Sequence, residues 1–166
     1  MTLVRSLAPV AIAVAVAGVL TLYLLTDDSP LGPWLLAFLL VAHGWVHLLF
    51  AFPKPPSDAA RPNAPAYPFD FGRSWLIGRG GLDAGLVRRL GMALTVVVVI
   101  LHVLAALATV GVLVPVDRWA PLVLLAALAS ALFLALFYSP LLLLGFAIDL
   151  AVVWLVLAGT WSPAAG

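Results

Sequence analysis

The sequence predicts an all-α integral membrane bundle of five transmembrane helices with a cytoplasmic N-terminus. Three observations carry this prediction. Of the 166 residues, 65% are hydrophobic and 9% are charged, against about 45–50% and about 25% in soluble domains. The apolar residues are gathered into long runs, and a bilayer crossing needs about 20 of them. The basic residues lie almost entirely on one side of those runs, the bias that sets orientation in a membrane. A soluble fold of this size cannot hide so much apolar surface. The composition therefore excludes a soluble globular domain, a disordered chain and a nucleic-acid-binding protein.

The chain reads as one transmembrane domain over 1–166, with apolar segments at about 4–25, 31–52, 86–114, 119–138 and 141–159. The first begins at Arg5, and Ala15-Val16-Ala17 resembles a signal-peptide cleavage site. Its apolar run continues well past that point and exceeds a usual signal core, so it is read as a helix; cleavage would leave four spans. Asp27, Asp28, Ser29 and Pro30 supply turn chemistry before the second segment. Residues 53–85 form the one sizeable loop. Its first half carries Pro53, Pro55, Pro56, Pro62, Pro65 and Pro68, which favours an extended chain. Its second half mixes aromatics and charge around Asp70, Arg73 and Trp75, as segments at the headgroup level do. After the third segment, 115–118 is a tight link. Ser139-Pro140 then divides an apolar run over 119–160 that is too long for one crossing, because proline disfavours helical continuation.

Lys54, Arg61, Arg73, Arg79, Arg88 and Arg89 all lie between segments two and three, and Arg5 falls on the same side if helices alternate. Only Arg118 falls opposite. This predicts a cytoplasmic N-terminus and long loop, in a bacterial cytoplasmic (inner) membrane. Small and polar residues should face other helices, since helices in lipid associate through close packing. Segment three offers Gly91, Thr95, Val98, His102, Ala105 and Thr109 in heptad rhythm; segment one offers Ala8, Ala11, Ala15 and Gly18; segment four Ala127, Ala131 and Ala135; segment five Gly145 and Asp149.

Cysteine is absent, which removes disulfides, thiolate metal sites and covalent haem attachment. Within the spans the ionisable residues are His43, His47, His102 and Asp149. Such groups are costly in a bilayer and face the protein interior. His43, His102 and Asp149 fall near the middle of three separate segments, and Ser130 of segment four is at a similar depth. His43 and His47 are one turn apart on one helical face, a spacing that suits two ligands of one metal ion. A bis-histidine haem would need His43 and His102 instead. Asp149 suits a ligand, or an acceptor that fixes a histidine tautomer. His43-Gly44-Trp45-Val46-His47 lacks the glutamate of a zinc-protease helix, and no serine-hydrolase or P-loop pattern occurs.

The runs His43-Gly44-Trp45-Val46-His47-Leu48-Leu49, Tyr67-Pro68-Phe69-Asp70-Phe71-Gly72-Arg73-Ser74-Trp75-Leu76, Phe137-Tyr138-Ser139-Pro140 and Gly145-Phe146-Ala147-Ile148-Asp149 resemble a group of small uncharacterised polytopic membrane proteins of GC-rich bacteria. The resemblance implies an integral membrane protein and brings no activity, ligand or catalytic residue.

Two functions of different class follow from the residues. In the first, the chain holds a divalent metal or haem b at an intramembrane site, with His43, His47 and His102 as ligands and Asp149 as ligand or supporting acceptor. It would serve cation or proton transfer, or redox. In the second, it is an accessory subunit of a larger membrane complex, or a homo-oligomer, without a cofactor of its own. A lipid-directed enzyme with Asp70, Arg73 and Trp75 at the headgroups ranks last, because no nucleophile–base pair is evident. Asp70, Arg73 and Trp75 otherwise act as interfacial anchors.

Overall fold

Pro33 in the first turn starts helix α1 (Gly32–Val46), where a missing amide hydrogen costs nothing. The Ser29 carbonyl accepts from Gly32 N at 3.0 Å just before it. The computed structural model describes residues 18–20, 23, 26, 29–52, 67–159 and 161–163. Beyond α1, which tightens into a 3₁₀ turn over His47–Phe50, the described elements are the short helix α2 (Trp75–Gly78), then α3 (Ala84–Thr109), α4 (Trp119–Leu136) and α5 (Leu143–Leu157). No strand occurs among the described residues.

Asp83 caps α3, its Oδ1 accepting from Leu86 N at 2.8 Å. α3 is the central element: it packs along both α1 and α4, and α5 packs on α4. Among the described residues, three helical stretches are long and apolar enough to cross a bilayer, Gly32–Phe50, Ala84–Thr109 and Val116–Leu136. α5 is apolar but has only 15 residues. Their outward faces carry exposed Phe38, Val97, Ile100, Leu128, Leu150 and Trp154, the apolar surface that lipid covers. The protein is therefore an all-helical membrane protein.

The seam read on segment three is buried at every position: Gly91, Thr95, Val98, His102, Ala105 and Thr109 all lie on the inner face of α3. Its polar members are satisfied within the helix. Thr95 Oγ1 donates to Gly91 O at 2.9 Å and Thr109 Oγ1 to Ala105 O at 2.8 Å, which removes the cost of burying a hydroxyl.

Several expectations require correction. The α4 stripe does not follow Ala127, Ala131 and Ala135: Ala135 is exposed, and the buried face runs through Val123, Ala126, Ala127, Ser130, Phe133 and Leu134. A strict spacing of four precesses around a helix of 3.6 residues per turn, and large Phe133 is what fills the core. Gly18 is exposed, with no described atom within 4 Å of a built Cβ. Most of segment one, including Ala8, Ala11 and Ala15, lies outside the described residues, as does 53–66. Segment three ends at Thr109 rather than 114, where Gly111 and Leu113 adopt φ of 67° and 62° in a turn that hydropathy does not register. Segment five opens with a 3₁₀ turn over Pro140–Leu142 before α5 begins.

The second half of the loop is built rather than loose. A 3₁₀ turn over Phe71–Arg73 leads into α2. Buried Phe71 lies over Gly91, where any Cβ would meet its ring. Ser74 Oγ donates to Leu136 O at 2.6 Å and Trp75 Nε1 to Ala135 O at 2.8 Å. The loop is thus pinned to the end of α4.

Candidate metal centre

Four helices bring polar side chains to one place between two apolar layers. On one side lie Leu36, Leu40, Ala105, Trp119, Val123 and Leu155. On the other lie Phe50, Phe71, Val98, Phe133, Leu134 and Phe137. Between them sit His43 and His47 from the α1 end, His102 from α3, Ser130 from α4 and Asp149 from α5. His47, His102, Ser130 and Asp149 are buried, and the His43 side chain is 9% exposed.

Two glycines make room. A Cβ on Gly44 would sit 2.6 Å from His102 Cβ, and one on Gly145 would sit 2.8 Å from Leu134 Cδ1 and 3.7 Å from the His43 ring. Their lack of side chains lets α1 approach α3, and α5 approach α4, at the level of the cluster. The tightening at His47 has a local consequence. Its backbone N–H reaches Gly44 O instead of His43 O, and the freed His43 carbonyl accepts from His47 Nδ1 at 3.2 Å.

Each imidazole has one nitrogen fixed by an acceptor. His102 Nδ1 faces Val98 O at 2.8 Å, and a carbonyl can only accept, so Nδ1 carries the hydrogen. His47 Nδ1 is a donor for the same reason. His43 Nε2 donates to Asp149 Oδ1 at 2.9 Å. In neutral rings this leaves lone pairs on His43 Nδ1, His47 Nε2 and His102 Nε2. His47 and His102 have the arrangement of metal-binding histidines, the second nitrogen donating to a backbone carbonyl, whereas His43 faces Asp149 through Nε2, so an ion shared by His43 and Asp149 would take the place of that hydrogen.

Ser130 joins the parts. Its Oγ lies 2.7 Å from Asp149 Oδ2, 3.2 Å from His47 Nε2 and 3.3 Å from His43 Nε2. The hydroxyl has one hydrogen and faces two acceptors, the carboxylate oxygen and the His47 lone pair. With Asp149 ionised and the rings neutral, the network is therefore one hydrogen short. Asp149 pairs with His43 among the described residues.

Of the four residues read as ligands, three come close together. His43, His102 and Asp149 offer ligand atoms within 4.8 Å of one another. Ligands of one tetrahedral ion stand about 3.4 Å apart when each bond is about 2.1 Å, so closure by roughly an ångström would bring three donors to ligand spacing. The His43 and His102 ring centroids are 5.2 Å apart. His47 is joined to the group through Ser130 rather than as a fourth donor. Asp70, Arg73 and Trp75 stand apart from it. Asp70 Oδ1 accepts from Gly72 N at 2.9 Å, Arg73 Nη1 donates to Tyr67 O at 3.3 Å, and Trp75 is tied to Ala135 O. The part played by Ser130 as the bridge was not legible as such. Its signal was a lone hydroxyl at the right depth on an otherwise apolar helix. The roles of Gly44 and Gly145 were hidden, because a glycine in an apolar run does not say what approaches it. Comparison with family models, with curated proteins and with solved structures finds no match to this chain.

Proposed function

We propose that this chain is a multi-pass membrane protein that binds one divalent transition-metal ion inside the bilayer, through His43, His102 and Asp149. The observation that carries the reading is the meeting of a carboxylate and three pinned imidazoles around Ser130, whose one hydrogen faces both Asp149 Oδ2 and His47 Nε2. A bound cation makes up this shortage, as one added proton also would, and elemental analysis separates the two. Mixed imidazole and carboxylate donors suit zinc or copper. Ser130 or a water would take the remaining position, which leaves the ion exchangeable and fits a role in cation transfer or redox. An ion fits better than haem b. His43 and His102 rings with centroids 5.2 Å apart leave no width for a macrocycle between them. The buried Gly44 backbone against His102 closes that space further.

The test is elemental analysis of protein purified in mild detergent and equilibrated with zinc or copper. Wild type should hold about one ion per chain, and His102→Ala should weaken binding by at least about tenfold. Unchanged occupancy in His102→Ala would sink the assignment.

The second reading, an accessory subunit, gains support from the same contacts, since Ser130 and Asp149 already tie α1, α4 and α5 together. It predicts a well-folded protein that takes up no ion. For topology, we infer five spans in a bacterial inner membrane with N-terminus and long loop cytoplasmic, from the seven-to-one distribution of basic residues. Because the chain has no cysteine, Ser57→Cys should react with an impermeant thiol reagent only after the cytoplasmic face is opened. Labelling of intact cells would reverse the orientation.

A further inference from the structure

At the loop end of α4 lies a cleft of about 700 Å³, lined by Arg73, Trp75, Ile77, Arg79, Ala135 and Tyr138 among others. We propose that it binds a phosphate ester, and that its occupant in the membrane is the headgroup of an anionic phospholipid. The inference is independent of the metal centre.

Two guanidinium groups stand at the cleft. Both Arg73 and Arg79 are exposed. Arg73 makes one long bond, from Nη1 to Tyr67 O at 3.3 Å. Neither guanidinium has a carboxylate within ion-pair distance among the described residues; the exposed pair there is Arg118 with Asp117, elsewhere in the chain. The end of a helix carries partial negative charge that ordinarily attracts cations. Here the Ala135 and Leu136 carbonyls are already taken by Trp75 Nε1–H and Ser74 Oγ–H. That leaves both arginines for an external anion. The planar fork of a guanidinium matches phosphate oxygens in pairs.

Two further features select a lipid over a free anion. Trp75 and Tyr138 flank the cleft at 46% and 50% exposure, and such rings settle at the headgroup level. Below the cleft, Leu125, Leu128, Leu132 and Ala135 are all exposed on α4. Their spacings of three and four put them on one face. They form an apolar track leading from the arginines toward the bilayer centre, where an acyl chain would lie.

The test is native mass spectrometry of the full chain released from mild detergent with equimolar dioleoyl phosphatidylglycerol and dioleoyl phosphatidylcholine. Wild type should retain the anionic lipid with about tenfold preference, as two basic residues at an anionic surface allow. The double variant Arg73→Gln/Arg79→Gln should lose that preference. Both side chains are exposed, and circular dichroism should report an unchanged fold. Arg88→Gln/Arg89→Gln removes the same charge from exposed positions outside the cleft and should keep the preference. An undiminished preference in Arg73→Gln/Arg79→Gln overturns the proposal, and so does an equal loss in Arg88→Gln/Arg89→Gln, which would indicate diffuse surface charge. Displacement of the lipid by inorganic phosphate at equal concentration would keep the anion site and overturn the lipid as its occupant.

Discussion

Asp149→Asn is expected to weaken metal binding by about 10–100-fold while leaving the bundle folded and, without metal, slightly more stable. The opposite signs follow from the hydrogen count at Ser130. Asparagine Oδ1 can accept from His43 Nε2, which now donates to Asp149 Oδ1 at 2.9 Å. The amide then donates to Ser130 Oγ. Ser130 is free to turn its own hydrogen to His47 Nε2, at 3.2 Å. The acceptors around Ser130 then each have a donor, a gain of about 1 kcal/mol for one repaired hydrogen bond. The ion loses an anionic ligand at the same time. Sites shaped for function often show this exchange of stability for binding. If Asp149 serves only to hold helices together, removing its charge should weaken the fold or change nothing, with no metal to lose. Thermal unfolding in detergent, with and without added zinc or copper, separates the outcomes. A lower melting temperature without metal would overturn the hydrogen-bond account.

Phe133→Ala should be the most damaging single change in the core, at about 3–5 kcal/mol. Phe133 is fully buried on α4. Its ring lies 4.8 Å from Phe50, 4.9 Å from Phe137 and 5.1 Å from His47, centroid to centroid. Aromatic pairs of this kind add about 0.5–1.5 kcal/mol each beyond their buried area. Truncation empties the space between α1, α4 and the docked loop, because Phe71 also reaches the group through Phe137 at 5.1 Å. Among the cluster's rings, Phe133 pairs with that of His47, which stands outside the proposed ligand set. Protein that still folds should therefore bind metal with unchanged affinity. Unfolding in mild detergent checks the first point, and a loss below about 1 kcal/mol would contradict the packing described.

Hydropathy and the rules of chain punctuation made the helical membrane character legible, because a bilayer imposes length and apolarity on every spanning segment independently of its neighbours. The break at Ser139-Pro140 came from local chemistry that tertiary contacts did not override. The inner face of α3 was readable because its small and polar residues recur in step with the helix. The candidate ligands could be named because a histidine or aspartate in hydrocarbon demands an interior position.

Which of them meet was a matter of helix rotation, and rotation is fixed by packing. Gly44 and Gly145 set it by letting His102 and His43 close in. Phe133 set it by drawing the face of α4 away from Ala131 and Ala135 and turning Ser130 inward. The α-to-3₁₀ switch at His47 turned one imidazole onto the His43 carbonyl and toward Ser130, although its spacing made it an equal partner of His43. The loop over Phe71–Gly78 likewise looked like an interfacial segment, and only its bonds to the Ala135 and Leu136 carbonyls made it a fixed wall of a cleft. The chain by itself determined which residues must be hidden from lipid. The tertiary structure alone decided which of those touch, because contact depends on helix phase and close approach, and neither is written in the hydropathy of a single segment.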